Sequence, residues 1–197
     1  MKLRLFGTEV YISFLFAALI AFMLATDRTG LIIPTIFACA VHEGGHLFAM
    51  WICECQPKSI RLIPASVQIV RGFSAKPQGE ITIALLGPAA NIAVFLCLLL
   101  NYFLFQSENV LIFALTNLII AVFNLLPVTG LDGGTVLKNL IARKTDIYTA
   151  ERKVSIITLV LSAAMFFAGV YILISGKFNI SVFIMAIYLL ISGLVRR

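Results

Sequence analysis

The chain has 197 residues, 61% hydrophobic and 12% charged, with a formal net charge of +6 and a mean hydropathy of +1.05. A soluble domain is nearer half apolar and a quarter charged, so this composition excludes a soluble enzyme on a single anchor and indicates a polytopic membrane protein. The positive charge has no soluble basic domain to act through, which excludes nucleic acid as a partner and leaves membrane topology as its meaning.

A spanning helix needs about 20 mostly apolar residues, and the predicted elements follow from that length. The start, Met1-Lys2-Leu3-Arg4, is charged like a signal peptide but has no small-residue cleavage site after it. It is expected to lead into a retained first helix over residues 9–25. A second helix is expected over 31–51. It carries His42-Glu43-Gly44-Gly45-His46 inside an apolar run.

Residues 56–79 hold Pro57, Pro64, Pro77, Gly72 and Gly79 and do not read as a helix. Within them Ser59-Ile60-Arg61-Leu62 and Ser66-Val67-Gln68-Ile69 alternate with period two. That pattern predicts short strands, a hairpin turning near Pro64, and a free edge to which an extended peptide can add. The third helix is expected over 80–105 and the fourth over 110–126. Pro127 ends or kinks the fourth, and Gly130, Gly133 and Gly134 favour irregular backbone before a short helix over 135–143. Such backbone at membrane depth is tolerated only where protein buries it or it lines a wet cavity. A fifth helix over 154–175 and a sixth over 179–195 complete the chain.

The expected fold is thus an all-α polytopic membrane protein. It has six transmembrane helices, a broken fourth helix and a small hairpin-like membrane-associated loop, in one domain over 1–197. Lys2, Arg4, Lys58, Arg61, Arg71, Lys76, Lys138, Arg143, Lys144, Arg152, Lys153, Arg196 and Arg197 fall on one side of this topology. Arg28 and Lys177 fall on the other. The positive-inside rule then places both termini in the cytoplasm. Cys39 and Cys97 read as small packing residues. Cys53 and Cys55 lack the second pair that a zinc site would need.

The chemistry centres on the second helix. Positions i and i+4 share one helix face, so His42 and His46 can grip one metal ion. Glu43 can act as general base toward a metal-bound water. The pair sits about 8–14 Å below the cytoplasmic surface at 1.5 Å per residue, and ionisable groups at membrane depth mark function by default. The chain has two histidines in all, and both lie in this motif. A catalytic zinc usually takes three protein ligands. Glu9, Asp27, Glu54, Glu80, Glu108, Asp146 and Glu151 lie at helix ends or in loops, which leaves Asp132 as the best third ligand. Zinc, two neutral histidines, one aspartate and one hydroxide sum to zero charge, as a low-dielectric site requires.

His42-Glu43-x-x-His46 in one helix and Asn124-x-x-Pro127-x-x-x-Leu131-Asp132-Gly133 in a later one resemble the site-2 protease family of intramembrane zinc metalloproteases. Gly87-Pro88-Ala89-Ala90-Asn91 is similar to that family's signature in a third core helix. The resemblance implies regulated intramembrane proteolysis, with His42, His46 and Asp132 on zinc and Glu43 catalytic. It also implies substrate binding at Asn124 and Pro127. The layout most resembles the stage IV sporulation protein FB group, which has no PDZ domain. That likeness implies a sigma-factor precursor as substrate, membrane inhibitor proteins as partners, and a bacterial cell or forespore membrane as location. Members of that group carry a CBS domain; none is expected here, as the sequence stops at Arg196-Arg197.

Three rival readings remain. A membrane metal-ion transporter needs ligands along several helices, and this chain offers one site. An inactive scaffold would use small residues such as Gly87, Ala89, Ala90 and Gly193 for packing. A protease for prenylated proteins shares the first motif but fits the Asp132-Gly133 segment poorly.

Overall fold

The computed structural model describes residues 2–5, 8–55, 57–63, 66–71 and 77–174. The expected sixth helix and the hairpin tip at Pro64 lie outside these residues, as do Lys177, Gly193 and both C-terminal arginines. The chain divides into two compact units, Met1–Phe123 and Asn124–Arg197.

The first unit opens with two strands, β1 (Lys2–Leu5) and β2 (Thr8–Ile12), followed by helices α1 (Phe14–Thr26) and α2 (Ile32–Ile52). Strands β3 (Pro57–Ile63) and β4 (Ser66–Arg71) come next, then helices α3 (Pro77–Phe105) and α4 (Glu108–Asn124). The four strands form one sheet in the order β1-β2-β3-β4. The expected hairpin is present, with β3 and β4 antiparallel and Ile60 opposite Ile69.

Two expectations for the N-terminus are corrected. The fold is not all-α, and the first residues do not lead straight into a helix. Lys2-Leu3-Arg4-Leu5 alternates charged and apolar residues, a strand period, and it pairs antiparallel with β2. Glu9, expected in the first helix, lies in β2 opposite Ser59 of β3. The pairing of β2 with β3 is parallel. Parallel strands need a long crossover between them, and here α1 and α2 supply it.

Among the described residues, three helices are long and apolar enough to cross a membrane: Ile32–Ile52, Gln78–Phe105 and Ile147–Tyr171. Helices α1 and α4 are apolar but shorter. Outward residues on α1, α3 and α4 are large and greasy, including Phe14, Phe22, Leu100, Phe103 and Ile119. That surface suits lipid as solvent rather than water. Between α1 and α2, Asp27 fixes the loop by accepting from the backbone N–H groups of Thr29, Gly30 and Ile32. Cys53 and Cys55 pack against a small cluster of Ala49, Met50 and Ile83, whereas Cys39 and Cys97, the two expected as packing residues, are exposed.

Helix α2 packs mainly on α3. Two glycines let them approach. A Cβ on Gly45 would run into the backbone of Leu86 and Gly87, and a Cβ on Gly87 would run into the His46 ring. Small residues at such crossings are how membrane helices bring backbones together.

The second unit holds α5 (Asp132–Ala142) and α6 (Ile147–Ile174), which pack on each other. Helix α5 starts three residues before the expected 135, and α6 seven residues before the expected 154. Asp146 provides the early start of α6 by accepting from the Thr149 N–H and hydroxyl. Those bonds hold its carboxyl below the usual range, the Thr149 hydroxyl most strongly.

Candidate metal centre

The first unit supplies His42, Glu43 and His46 from the middle of α2. His42 and His46 are buried, at 6% and 8% exposure, while Glu43 is half-buried. The two imidazoles meet nearly at right angles, at 89°, with centroids 4.7 Å apart.

Each ring has its far nitrogen fixed. The Nδ1–H of His46 donates to the Ile83 carbonyl at 2.8 Å. A carbonyl can only accept, so that nitrogen carries the hydrogen. Pro88 of α3, one residue past Gly87, has no N–H for the Ala84 carbonyl. The neighbouring Ile83 carbonyl takes the histidine. His42 Nδ1 lies 2.9 Å from Asn91 Oδ1, and Asn91 is fully buried.

A neutral imidazole with Nδ1–H has a bare lone pair on Nε2. The two Nε2 atoms are 3.1 Å apart. Two lone pairs at that distance repel each other unless a proton or a metal ion is set against both. The donor set therefore fits a metal ion, with the Nδ1 bonds serving as the outer contacts that orient metal-binding histidines.

The second unit supplies the other sequence-predicted residues. Asn124 ends α4, Pro127 sits in the turn that follows, and Asp132 opens α5. The turn is tight. The Val128 N–H donates to the Leu126 carbonyl at 2.7 Å, and the Leu131 N–H to the Val128 carbonyl at 3.0 Å. Gly130 takes φ 97°, which favours glycine. Gly133 and Gly134 lie so close to the Leu125, Leu126 and Val128 carbonyls that neither has room for a Cβ. The turn is anchored to α6 by Thr158, whose hydroxyl accepts from the Thr129 N–H at 2.8 Å and donates to the Val154 carbonyl at 2.9 Å.

These contacts place Asp132 in the first turn of α5, where the positive end of the helix dipole favours a carboxylate. Its Oδ2 is buried. Sequence reasoning missed Asn117, which is fully buried. An amide within an apolar helix is a signal, because once buried it requires partners.

Residues 106–168 match the model of Peptidase family M50. The match takes in Asn124, Pro127 and Asp132 and leaves out His42 and His46. The fold is similar to a solved structure described as Site-2 Protease from Methanocaldococcus jannaschii. The TM-score is 0.71 at 21% sequence identity, covering 98% of this chain and 93% of that one. No curated protein matches. The family match and the shared fold support a metalloprotease with the architecture of a membrane protein.

Proposed function

We propose that the chain is an intramembrane zinc endopeptidase that cuts a membrane-associated protein near the cytoplasmic face. The observation that carries this reading is the His42–His46 pair, with both Nδ1 atoms engaged and the Nε2 atoms 3.1 Å apart. His42, His46 and Asp132 each offer one ligand atom, two imidazole nitrogens and a carboxylate oxygen. That donor set suits zinc.

Zinc held there supplies a Lewis acid and an acidified water. Glu43, adjacent to His42 in sequence, accepts a proton from the attacking water on its carboxylate and returns it to the leaving amine nitrogen. The Asn124 amide donates to the scissile carbonyl oxygen as charge develops on it. Pro127 shapes the turn between Asn124 and Asp132.

A substrate helix has its carbonyls engaged in backbone bonds and must be held extended to be cut. Among the described strands β4 is an outer one, and an extended segment can add to such an edge. Ile60 lies in β3, paired on both sides, so proline there breaks the sheet itself. The informative scan places proline at alternate positions of β4. Unchanged cleavage across that scan would remove the strand-addition step.

The substrate class we favour is a pro-sigma factor or a similar regulatory protein, in a sporulation-like role with membrane inhibitor proteins as partners. Six spans with a broken fourth, one metalloprotease domain and cytoplasmic termini in a bacterial cell or forespore membrane belong to the same proposal. The test co-expresses the chain, or its Glu43→Gln form, with a membrane-tethered sigma-factor precursor. Precursor length and bound zinc are measured in both. The reading expects shortening by the native chain only and zinc in both. Zinc without shortening would redirect the search to another substrate. Metal flux without cleavage would favour a transporter, and absence of zinc from both would overturn the metal site.

A further inference from the structure

We propose that Asn91 and Asn117 are positioning residues that together set the tautomer of His42, presenting the metal with an unprotonated Nε2. The proposal deepens the zinc reading and rests on it only for its last link.

The deduction starts from two backbone carbonyls. Asn117 Nδ2 lies 2.8 Å from the Phe113 carbonyl, one turn earlier in α4. A carbonyl only accepts, so the amide nitrogen must face it, and Asn117 Oδ1 must face the other way. That oxygen lies 2.8 Å from Asn91 Nδ2. The same Asn91 nitrogen lies 2.8 Å from the Ala38 carbonyl of α2. Two acceptors thus surround the Asn91 amino group and use both of its hydrogens.

Asn91 Oδ1 is then left facing His42 Nδ1 at 2.9 Å. An amide oxygen cannot donate, so His42 Nδ1 must carry the hydrogen and Nε2 the lone pair. Flipping either amide would set acceptor against acceptor. Both asparagines are fully buried, so bulk water cannot repair such a clash.

The two histidines reach the same tautomer by different devices. His46 uses the Ile83 backbone carbonyl, which no side-chain substitution removes. His42 depends on a relay of side chains from α3 and α4. The relay also accepts without adding charge. A carboxylate at position 91 would fix the same hydrogen but add a negative charge to a ligand set that already balances zinc.

The experiment uses the full chain in lipid nanodiscs, with only histidine labelled with 15N. The chain has two histidines, so the imidazole spectrum reports two rings. Metal-free wild-type protein at about pH 8, well above the ordinary imidazole pKa, should show both as Nδ1–H. Asn91→Leu should shift His42 toward Nε2–H and leave His46 unchanged. Zinc affinity, read by chelator competition, should fall by about 10–100-fold. Asn117→Ala should move the same two readouts in the same direction by less, because Ala38 still holds Asn91.

His46 is the internal control. If its tautomer is also lost in Asn91→Leu, the fold has failed and Asn117→Ala decides. A wild-type His42 found as Nε2–H overturns the proposal without any variant. So does a His42 that stays Nδ1–H at full zinc affinity in a folded Asn91→Leu protein. Correct tautomers in a wild-type protein that binds no zinc would sink the zinc reading and leave the relay standing.

Discussion

At the residue scale, the absence of a side chain at Gly87 matters as much as the side chains around it. The His46 ring lies where a Cβ at position 87 would stand. That ring cannot step aside without losing its bond to the Ile83 carbonyl. Gly87→Ala is therefore expected to reduce zinc affinity by about tenfold or more, the scale seen when support for a ligand is lost. Gly44→Ala is the control, since a Cβ there meets nothing and alanine favours helix by about 1 kcal/mol. Its zinc content, by elemental analysis, should match wild type. The ligand pair was legible because both histidines of the chain fall four residues apart on one apolar helix. Asn117 was not legible as a positioning residue. One amide in an apolar run states that it has partners, and only the hydrogen bond it accepts from Asn91 of α3 says which.

At the element scale, two connections hold helices through single side chains. Thr158 joins the turn after α4 to α6. Thr158→Val keeps the volume but leaves the Thr129 N–H without that acceptor. An unsatisfied group of this kind costs about 1–3 kcal/mol. Chemical denaturation in detergent should show a lower midpoint, and wild-type stability in this variant would contradict the anchor. Asp27 does the same between α1 and α2. The Ile32 N–H is the chief cause that holds its carboxyl below the ordinary carboxylate range, assisted by the Thr29 hydroxyl. A carboxyl depressed by folding stabilises above its unfolded pKa and loses that effect as pH falls through the lower folded value. The protection factor of the Ile32 amide, which divides out the acid slowing of intrinsic exchange, should be high at neutral pH and fall in the acid range where Asp27 takes up its proton. In Asp27→Asn it should be lower at neutral pH and less dependent on acid. The hairpin of β3 and β4 was legible because its alternation is bounded by prolines. The strands β1 and β2 were not, because short alternating runs beside an apolar stretch look like the start of a membrane helix. The strand that ties this pair into the sheet, β3, lies about fifty residues from β2 in sequence, beyond the reach of local pattern.

At the scale of the whole molecule, the parallel pairing of β2 and β3 constrains topology without reference to charge. Strand β2 enters α1 and strand β3 leaves α2, and the two are hydrogen-bonded from Glu9–Ser59 to Ile12–Leu62. The chain between them must return to the level from which it set out. Helices α1 and α2 therefore make an out-and-back pair, with Arg28 at its far end. Arg28 is one of the two basic residues expected on that side; the other, Lys177, lies outside the described residues. In a cysteine-free background, an impermeant thiol reagent added outside intact cells should label Arg28→Cys. It should label Lys58→Cys only after the membrane is opened, and the reverse pattern would invert the topology. The pairing has one more consequence, which concerns distance. Strands slip in steps of two residues if their faces are to be kept, and one such step is roughly 6.6 Å. The register between β2 and β3 is thus a depth stop. It sets how far the end of α2 is drawn toward the sheet, and with it the distance from the sheet at which the histidine pair is held.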